Sequence, residues 1–244
     1  MSEFDLLPVV IVPTYNEAEN IRLLVGDILS LSIPVDVIVV DDNSPDGTGQ
    51  IVDELAARCD SVRAIHREGK LGLGTAYIAG FKHALERDYD RIMTMDADFS
   101  HHPRYIPEML EKSRSMGDLV IGSRYVRGGG TSGCTLPRKI LSWGANAFAK
   151  TVLGLGAMDC TAGFRCYRRQ VLESLDLDAI FSNGYSFLIE VLYKAQRLGW
   201  RVEEVPILFE NRRRGASKIS NQEITNAMGT VLRLGKERLT RTDR

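Results

Sequence analysis

Five short apolar runs, each separated from the next by a helical pattern, constrain this 244-residue chain more than any other feature. They lie at residues 8–12, 36–40, 61–66, 91–95 and 118–122 and are rich in apolar and β-branched side chains. A strand with one wet face alternates apolar and polar residues, whereas a strand buried on both faces reads as a run. Repeated strand–helix alternation therefore predicts an α/β fold, a mostly parallel central sheet flanked by helices. Asn16-Glu17-Ala18-Glu19 reads as one helix start, with a capping side chain and acids in the first turn, and Pro103 marks another.

The alternation stops after residue 122. Gly128-Gly129-Gly130-Thr131-Ser132-Gly133 reads as a mobile loop able to close over a ligand. Beyond it the pattern predicts a helix over 137–155, a strand near 163–167, a helix over 185–198, a strand over 201–209 and a final helix over 221–239. The length suits a single domain spanning 1–244.

A formal net charge of −1 gives no bulk attraction to nucleic acid, but the charge is uneven. Residues 212–244 carry nine Lys or Arg against three Asp or Glu, a local +6 that leaves −7 on residues 1–211. The basic end is a candidate surface for phosphate or anionic lipid. Cys59, Cys134, Cys160 and Cys166 form no C-x-x-C pair and are read as reduced, structural thiols. Neither a signal peptide nor a run of ~18 apolar residues is visible, so the expectation is a cytoplasmic protein.

Ligands of open α/β sheets bind beyond the carboxyl ends of the strands. Three of those ends are polar: Pro13-Thr14-Tyr15-Asn16-Glu17, Asp41 through Gly47, and Asp96-Ala97-Asp98-Phe99-Ser100. If extended geometry persists past residue 95, Asp96 and Asp98 point to one side with Ala97 turned away, and two hard oxygen donors suit Mg²⁺ or Mn²⁺ shared with a diphosphate. The competing reading is a turn whose aspartates cap the next helix. Asp42 can accept from ribose hydroxyls or base N–H groups, Tyr15 can face a base, and Glu17 is either a ligand contact or a first-turn helix acid. Asp46 belongs to a structural turn. Gly69-Lys70-Leu71-Gly72-Leu73-Gly74 lacks both phosphate-loop spacings and is read as a flexible lead-in to a helix.

Val39-Val40-Asp41-Asp42-Asn43-Ser44-Pro45-Asp46-Gly47-Thr48, Met95-Asp96-Ala97-Asp98-Phe99-Ser100-His101-His102-Pro103, Gly122-Ser123-Arg124-Tyr125 and Arg212-x-x-Gly215-x-Ser217-Lys218 occur in that order. Together they resemble the family 2 glycosyltransferases of GT-A fold, and within them the dolichyl-phosphate (polyprenyl-phosphate) mannose synthases, over residues 9–218. The resemblance implies inverting transfer of mannose from GDP-mannose to a polyprenyl monophosphate on the cytoplasmic face of a membrane, with Mg²⁺ or Mn²⁺. By position, Pro13, Tyr15, Glu17, Val40 and Asp42 would contact the guanosine part. Asp96, Ala97 and Asp98 would meet the diphosphate, with Asp98 the firmest metal ligand; Arg124, Arg212 and Lys218 would hold phosphate and sugar. Asp96, Asp98 and Arg124 form the expected catalytic set. Ser100 stands where some relatives place Gln as a further metal ligand, and its hydroxyl is a weaker donor. His101 and His102 are expected to shape the loop.

A lipid acceptor requires contact with a bilayer. Leu141, Ala145, Phe148, Val152 and Leu155, with Trp143 near, and Ile224, Met228, Val231 and Leu232 beside Arg233, Lys236 and Arg238 form two amphipathic stripes. Each stripe is read either as packing on the sheet or as a surface for the membrane or a small anchoring subunit. Three alternatives stay open: a UDP-glucose-dependent glucosyltransferase, a haloacid-dehalogenase-type phosphatase with Asp96 as nucleophile, and a non-catalytic nucleotide-sugar sensor.

Overall fold

The computed structural model describes residues 7–211 and 221–241. Its main sheet contains β1 (Pro8–Thr14), β2 (Asp36–Asp41), β3 (Val62–His66), β4 (Arg91–Thr94), β5 (Leu119–Ser123), β7 (Arg165–Arg168) and β8 (Val202–Pro206) in the order β3-β2-β1-β4-β7-β5-β8. Every pairing is parallel except those of β7, which runs antiparallel between β4 and β5, with Arg91 opposite Arg168 and Leu119 opposite Tyr167. The helices are α1 (Ile21–Leu29), α2 (Thr48–Ala56), α3 (Leu73–Leu85), α4 (Ile106–Ser115), α5 (Leu136–Leu153), α6 (Arg169–Glu173), α7 (Tyr185–Arg197) and α8 (Asn221–Arg241).

Both faces of the sheet are apolar, as the runs predict. Val9 and Ile11 of β1 pack with Tyr77 and Phe81 of α3 and Phe187 of α7, while Val10 and Val12 face Leu24 and Ile28 of α1 and Met109 of α4. Tyr77 stacks on both Phe81 and Phe187, at centroid distances of 6.2 and 5.9 Å. The α3 backbone lies so close to β1 that a Cβ on Gly80 would stand 2.5 Å from Ile11 Cγ2. Gly80→Ala is therefore expected to lower stability by ~1–3 kcal/mol through overpacking. An unchanged melting temperature would show instead that α3 can shift.

Three expectations change. The first helix begins at Ile21 rather than in Asn16–Glu19. Asn16 has a φ of 58°, and the amides of Asn16, Glu17 and Ala18 donate to Ser44 Oγ, Thr48 Oγ1 and Asp46 Oδ2, so the segment is gripped by the β2–α2 turn instead of coiling. The expected strand over 201–209 divides at Pro206, which has no N–H to extend the ladder. After it β9 (Leu208–Glu210) leaves the main sheet and pairs with β6 (Gly130–Ser132). The expected mobile loop is thus a two-stranded ribbon, and Gly129 fits beneath it because a Cβ there would stand 2.5 Å from the Ser123 carbonyl oxygen.

All four cysteines are free. Burial pushes the Cys160 and Cys166 thiols up to about 12, the inert, structural behaviour expected of them.

Candidate active site

The carboxyl ends of β1, β2, β4 and β5 converge on one edge of the sheet. At the end of β2 the two adjacent aspartates divide their work. Asp41 is consumed locally: it accepts from Thr14 Oγ1 at 2.8 Å, Ser44 Oγ at 2.6 Å and the Ser44 amide at 2.9 Å. Asp42 is buried, and its Oδ2 accepts from the amides of Leu71 and Gly72. Arg67 Nη1 lies 3.0 Å from Oδ1, an ion pair without hydrogen-bond alignment. Burial raises the Asp42 pKa, against the pull of Arg67. The glycine-rich lead-in to α3 is consequently pinned to Asp42.

The residues expected around a nucleoside lie at the ends of β1 and β2. Pro13, Tyr15 and Glu17 are half-buried, Lys70 Nζ sits 4.5 Å from the centre of the Tyr15 ring, and Glu17 Oε2 accepts from Asn20 Nδ2. The Val40 side chain is fully buried in the core, so a ligand could reach only its main chain. Asp46 is structural: burial opposes its ionisation, yet hydrogen bonds from Thr48 and Ala18 hold its carboxyl below the usual range.

β4 ends at Thr94; Asp96 is irregular and Ala97-Asp98 form a turn, so the motif does not continue an extended strand. The geometric premise for two parallel carboxylates therefore fails, although the motif remains at the sheet edge. Ala97 is buried, Phe99 takes a φ of 59°, and the Ser100 amide donates to Asp98 Oδ1 at 3.0 Å. Asp98 is buried, while the Asp96 side chain is 28% exposed. Asp96 Oδ1 accepts from the hydroxyl of Tyr77 at 3.2 Å, and Gly163 lies close enough that a Cβ there would stand 3.4 Å from Asp96 Oδ1. Ser100 is itself buried, and its carbonyl accepts from the Glu210 amide. His101 is packed against Phe164 and Phe209, with Nδ1 3.8 Å from Asp96 Oδ2; burial lowers its pKa despite the neighbouring aspartates. His102 Nδ1 accepts from the Arg104 amide, which shapes the turn as expected.

Arg124 follows β5. Its Nε and Nη2 donate to the two oxygens of Asp159 at 2.7 Å each, Nη2 also donates to Thr161 Oγ1, and its amide donates to Asp159 Oδ2. Asp159 is fully buried; burial opposes its ionisation, but Arg124 holds its pKa below the ordinary range. Neither Asp159 nor Tyr77 is singled out by the sequence, since a lone acid between two apolar stretches and a tyrosine on a helix carry no local signal. Arg212 and Lys218 lie outside the described residues. Among the described residues no three carboxylate, imidazole or thiol side chains cluster as a complete metal site.

Residues 9–176 match the family described as Glycosyl transferase family 2, and the chain belongs to that family of enzymes. Its relatives narrow the group. The undecaprenyl-phosphate mannosyltransferase of Micrococcus luteus is 47% identical over 225 residues, 92% of each chain. The polyprenol monophosphomannose synthase of Mycolicibacterium smegmatis is 47% identical over 227 residues, 93% of this chain and 86% of its own. Among solved structures, glucosyl-3-phosphoglycerate synthase from Mycobacterium tuberculosis, in complex with Mn²⁺, UDP and phosphoglyceric acid, superposes with a TM-score of 0.68 at 20% identity, covering 95% of this chain and 79% of that one. A mannosyltransferase from Pyrobaculum calidifontis in complex with GDP-Man and Mn²⁺ gives 0.61 at 18%, covering 95% and 68%. These likenesses establish the GT-A fold, and family membership sets aside the phosphatase and sensor readings.

Proposed function

We propose that this chain, as one catalytic domain, transfers mannose from GDP-mannose to a polyprenyl monophosphate with inversion, giving a polyprenyl-phosphate β-mannose and GDP. The observation that carries this reading is a two-aspartate turn after β4 and an arginine after β5 held by a buried aspartate, in a chain that shares nearly half its residues with two enzymes named for such a product. Asp42 and the segment pinned to it wall the guanosine site, with Tyr15 and Glu17 on the facing strand end. Asp96 and Asp98 offer carboxylate oxygens, the hard donors that Mg²⁺ and Mn²⁺ prefer, and fit a cation whose remaining positions belong to diphosphate and water. Such a cation stabilises the charge that develops on the leaving GDP. Ser100 would join only through its hydroxyl.

The acceptor needs no general base. A phosphate monoester with a second pKa near ~6 is mostly dianionic at neutral pH and can attack directly. Buried His101, kept neutral, is not placed for that work. What the reaction needs is positive charge around two anions, which Arg124, Arg212 and Lys218 supply.

A long-chain acceptor brings the site to a bilayer. No helix among the described residues is long and apolar enough to cross a membrane. The first half of α5 instead exposes Leu136 (69%), Ile140 (62%) and Trp143 (63%), and α8 exposes Met228, Leu232 and Leu239 beside Arg233 and Lys236. Other members of the two stripes are internal: Phe148 and Val152 are half-buried, Leu155 and Val231 are buried, and Arg238 donates to the Val152 carbonyl. The exposed apolar side chains beside basic ones support surface docking, which we place on the cytoplasmic face of a membrane, directly or through a small anchoring subunit. Ile140→Ser with Trp143→Ser removes two side chains worth ~1.5–3 kcal/mol each when buried, so binding to anionic vesicles should fall at least tenfold in sedimentation. Equal binding by the variant would refute docking through α5.

The activity is tested by offering GDP-mannose, UDP-glucose and other donors with a polyprenyl phosphate, with and without Mg²⁺ or Mn²⁺. Lipid-linked mannose formed from GDP-mannose alone is expected. Lipid-linked glucose would reassign the donor, and the absence of any glycolipid would sink the reading.

A further inference from the structure

Arg124 reaches its position through a partner that is built into the fold. The 158–162 segment approaches β7 and is fixed by three elements. Glu204 of β8 accepts from the amides of Met158 and Asp159, Asn146 of α5 accepts from the Cys160 amide through Oδ1, and Arg165 of β7 donates to the carbonyls of Cys160 and Ala162. The backbone that carries Asp159 is thus held by contacts that do not involve Arg124. Nε and both Nη2 hydrogens are spent on Asp159 and Thr161, and the guanidinium lies over the rings of Tyr125 and Phe209 at 5.2 and 5.4 Å. No described residue engages Nη1.

A buried ion pair is weak as a device for stability, because desolvating two charges offsets most of their attraction. As a device for orientation it is strong, since a two-pronged guanidinium–carboxylate contact fixes the plane and the rotation of the arginine at once. The same segment continues to Gly163, which lies against Asp96, so it joins the arginine's partner to the aspartate turn. We infer that Asp159 is a positioning residue, which holds the Arg124 guanidinium so that its Nη1 edge faces a reacting phosphate. The inference rests on the transfer reaction proposed above.

Asp159→Asn keeps the shape while removing the charge and one acceptor site. Misplacing a charge-stabilising group costs roughly 10- to 100-fold in rate, so kcat should fall by that factor while the KM for GDP-mannose changes less than threefold. Chemical rescue separates positioning from packing: millimolar guanidinium should restore part of the activity of Arg124→Ala but none in Arg124→Ala/Asp159→Asn. A read-out independent of turnover is the Arg124 Nε–H resonance, identified by its loss in Arg124→Lys. In the unaltered protein it should exchange slowly and shift on adding either citronellyl phosphate or GDP with Mg²⁺, which tells acceptor from donor phosphate. In Asp159→Asn the slow exchange should vanish. Overturning results are an unaltered kcat in folded Asp159→Asn, rescue that ignores Asp159, or a resonance that moves with neither phosphate. A wild-type protein making no glycolipid would refute the reaction alone, because the resonance still tests the positioning.

Discussion

Asp98→Ala is expected to lower the rate of mannosyl transfer at least ~10³-fold, equivalent to about 4 kcal/mol of transition-state stabilisation. Asp98 is buried at the end of β4 and takes the Ser100 amide on one carboxylate oxygen. In the proposed site it is also the firmest hard donor toward the cation, so its removal weakens charge stabilisation at the leaving diphosphate. The fold should notice far less. The hydrogen bond from the Ser100 amide is worth ~1 kcal/mol, a melting shift of ~2–4 °C for a chain of this size. A variant that melts near wild type, is inactive and no longer shows tighter GDP binding with Mn²⁺ is the expected result, and EDTA should reproduce it in the unaltered protein. Activity within tenfold of wild type, or indifference to EDTA, would remove Asp98 from the metal site.

Arg165→Met is expected to do the opposite, damaging stability first. Arg165 is fully buried and its head group donates only to main-chain carbonyls: Nε to Ala162 at 2.9 Å, Nη2 to Cys160 at 2.8 Å and Nη1 to Leu188 at 2.7 Å. Leu188 sits inside α7, where its carbonyl also serves the helical ladder, so the two loop carbonyls are the ones left orphaned. Each buried orphan costs ~1–3 kcal/mol, and the network as a whole about 3–5. The melting temperature should fall by ~10 °C or more. Arg165→Lys can replace at most part of the fork and should lie between. A loss below ~1 kcal/mol for Arg165→Met would show that the 158–162 segment is held adequately by Glu204 and Asn146.

The parallel half of the sheet is readable because chemistry and periodicity agree there: β1, β2, β4 and β5 are buried strands that read as apolar runs, while β3 at the edge, with Arg63 and His66, is the weakest of the five. The polar strand ends followed directly. What could not be read depends on partners distant in sequence. Asp159 becomes a positioning candidate only through Arg124, 35 residues away, and Tyr77 meets Asp96 only because α3 stacks on α7. β6 and β9 have three residues each, too few for a pattern, and the helix expected at Asn16 gives way to contacts with Ser44, Asp46 and Thr48. The strand-end reading places Asp96 and Asp98 at the sheet edge, and of its two local geometries the turn is the one found, because the strand ends at Thr94.

The single antiparallel strand also dictates an order of assembly during synthesis. The backbone ladder of β3-β2-β1-β4 is complete by residue 94, although its two faces are covered later by α4 and α7. β5 has no edge to join until β7 exists, and β7 lies more than forty residues downstream. On this topology the nascent chain carries an apolar strand, Leu119-Val120-Ile121, without its partner while α5 is being made. The wall bearing Asp42 can form early, whereas the arginine beyond β5 acquires its orientation only when the last third of the protein arrives.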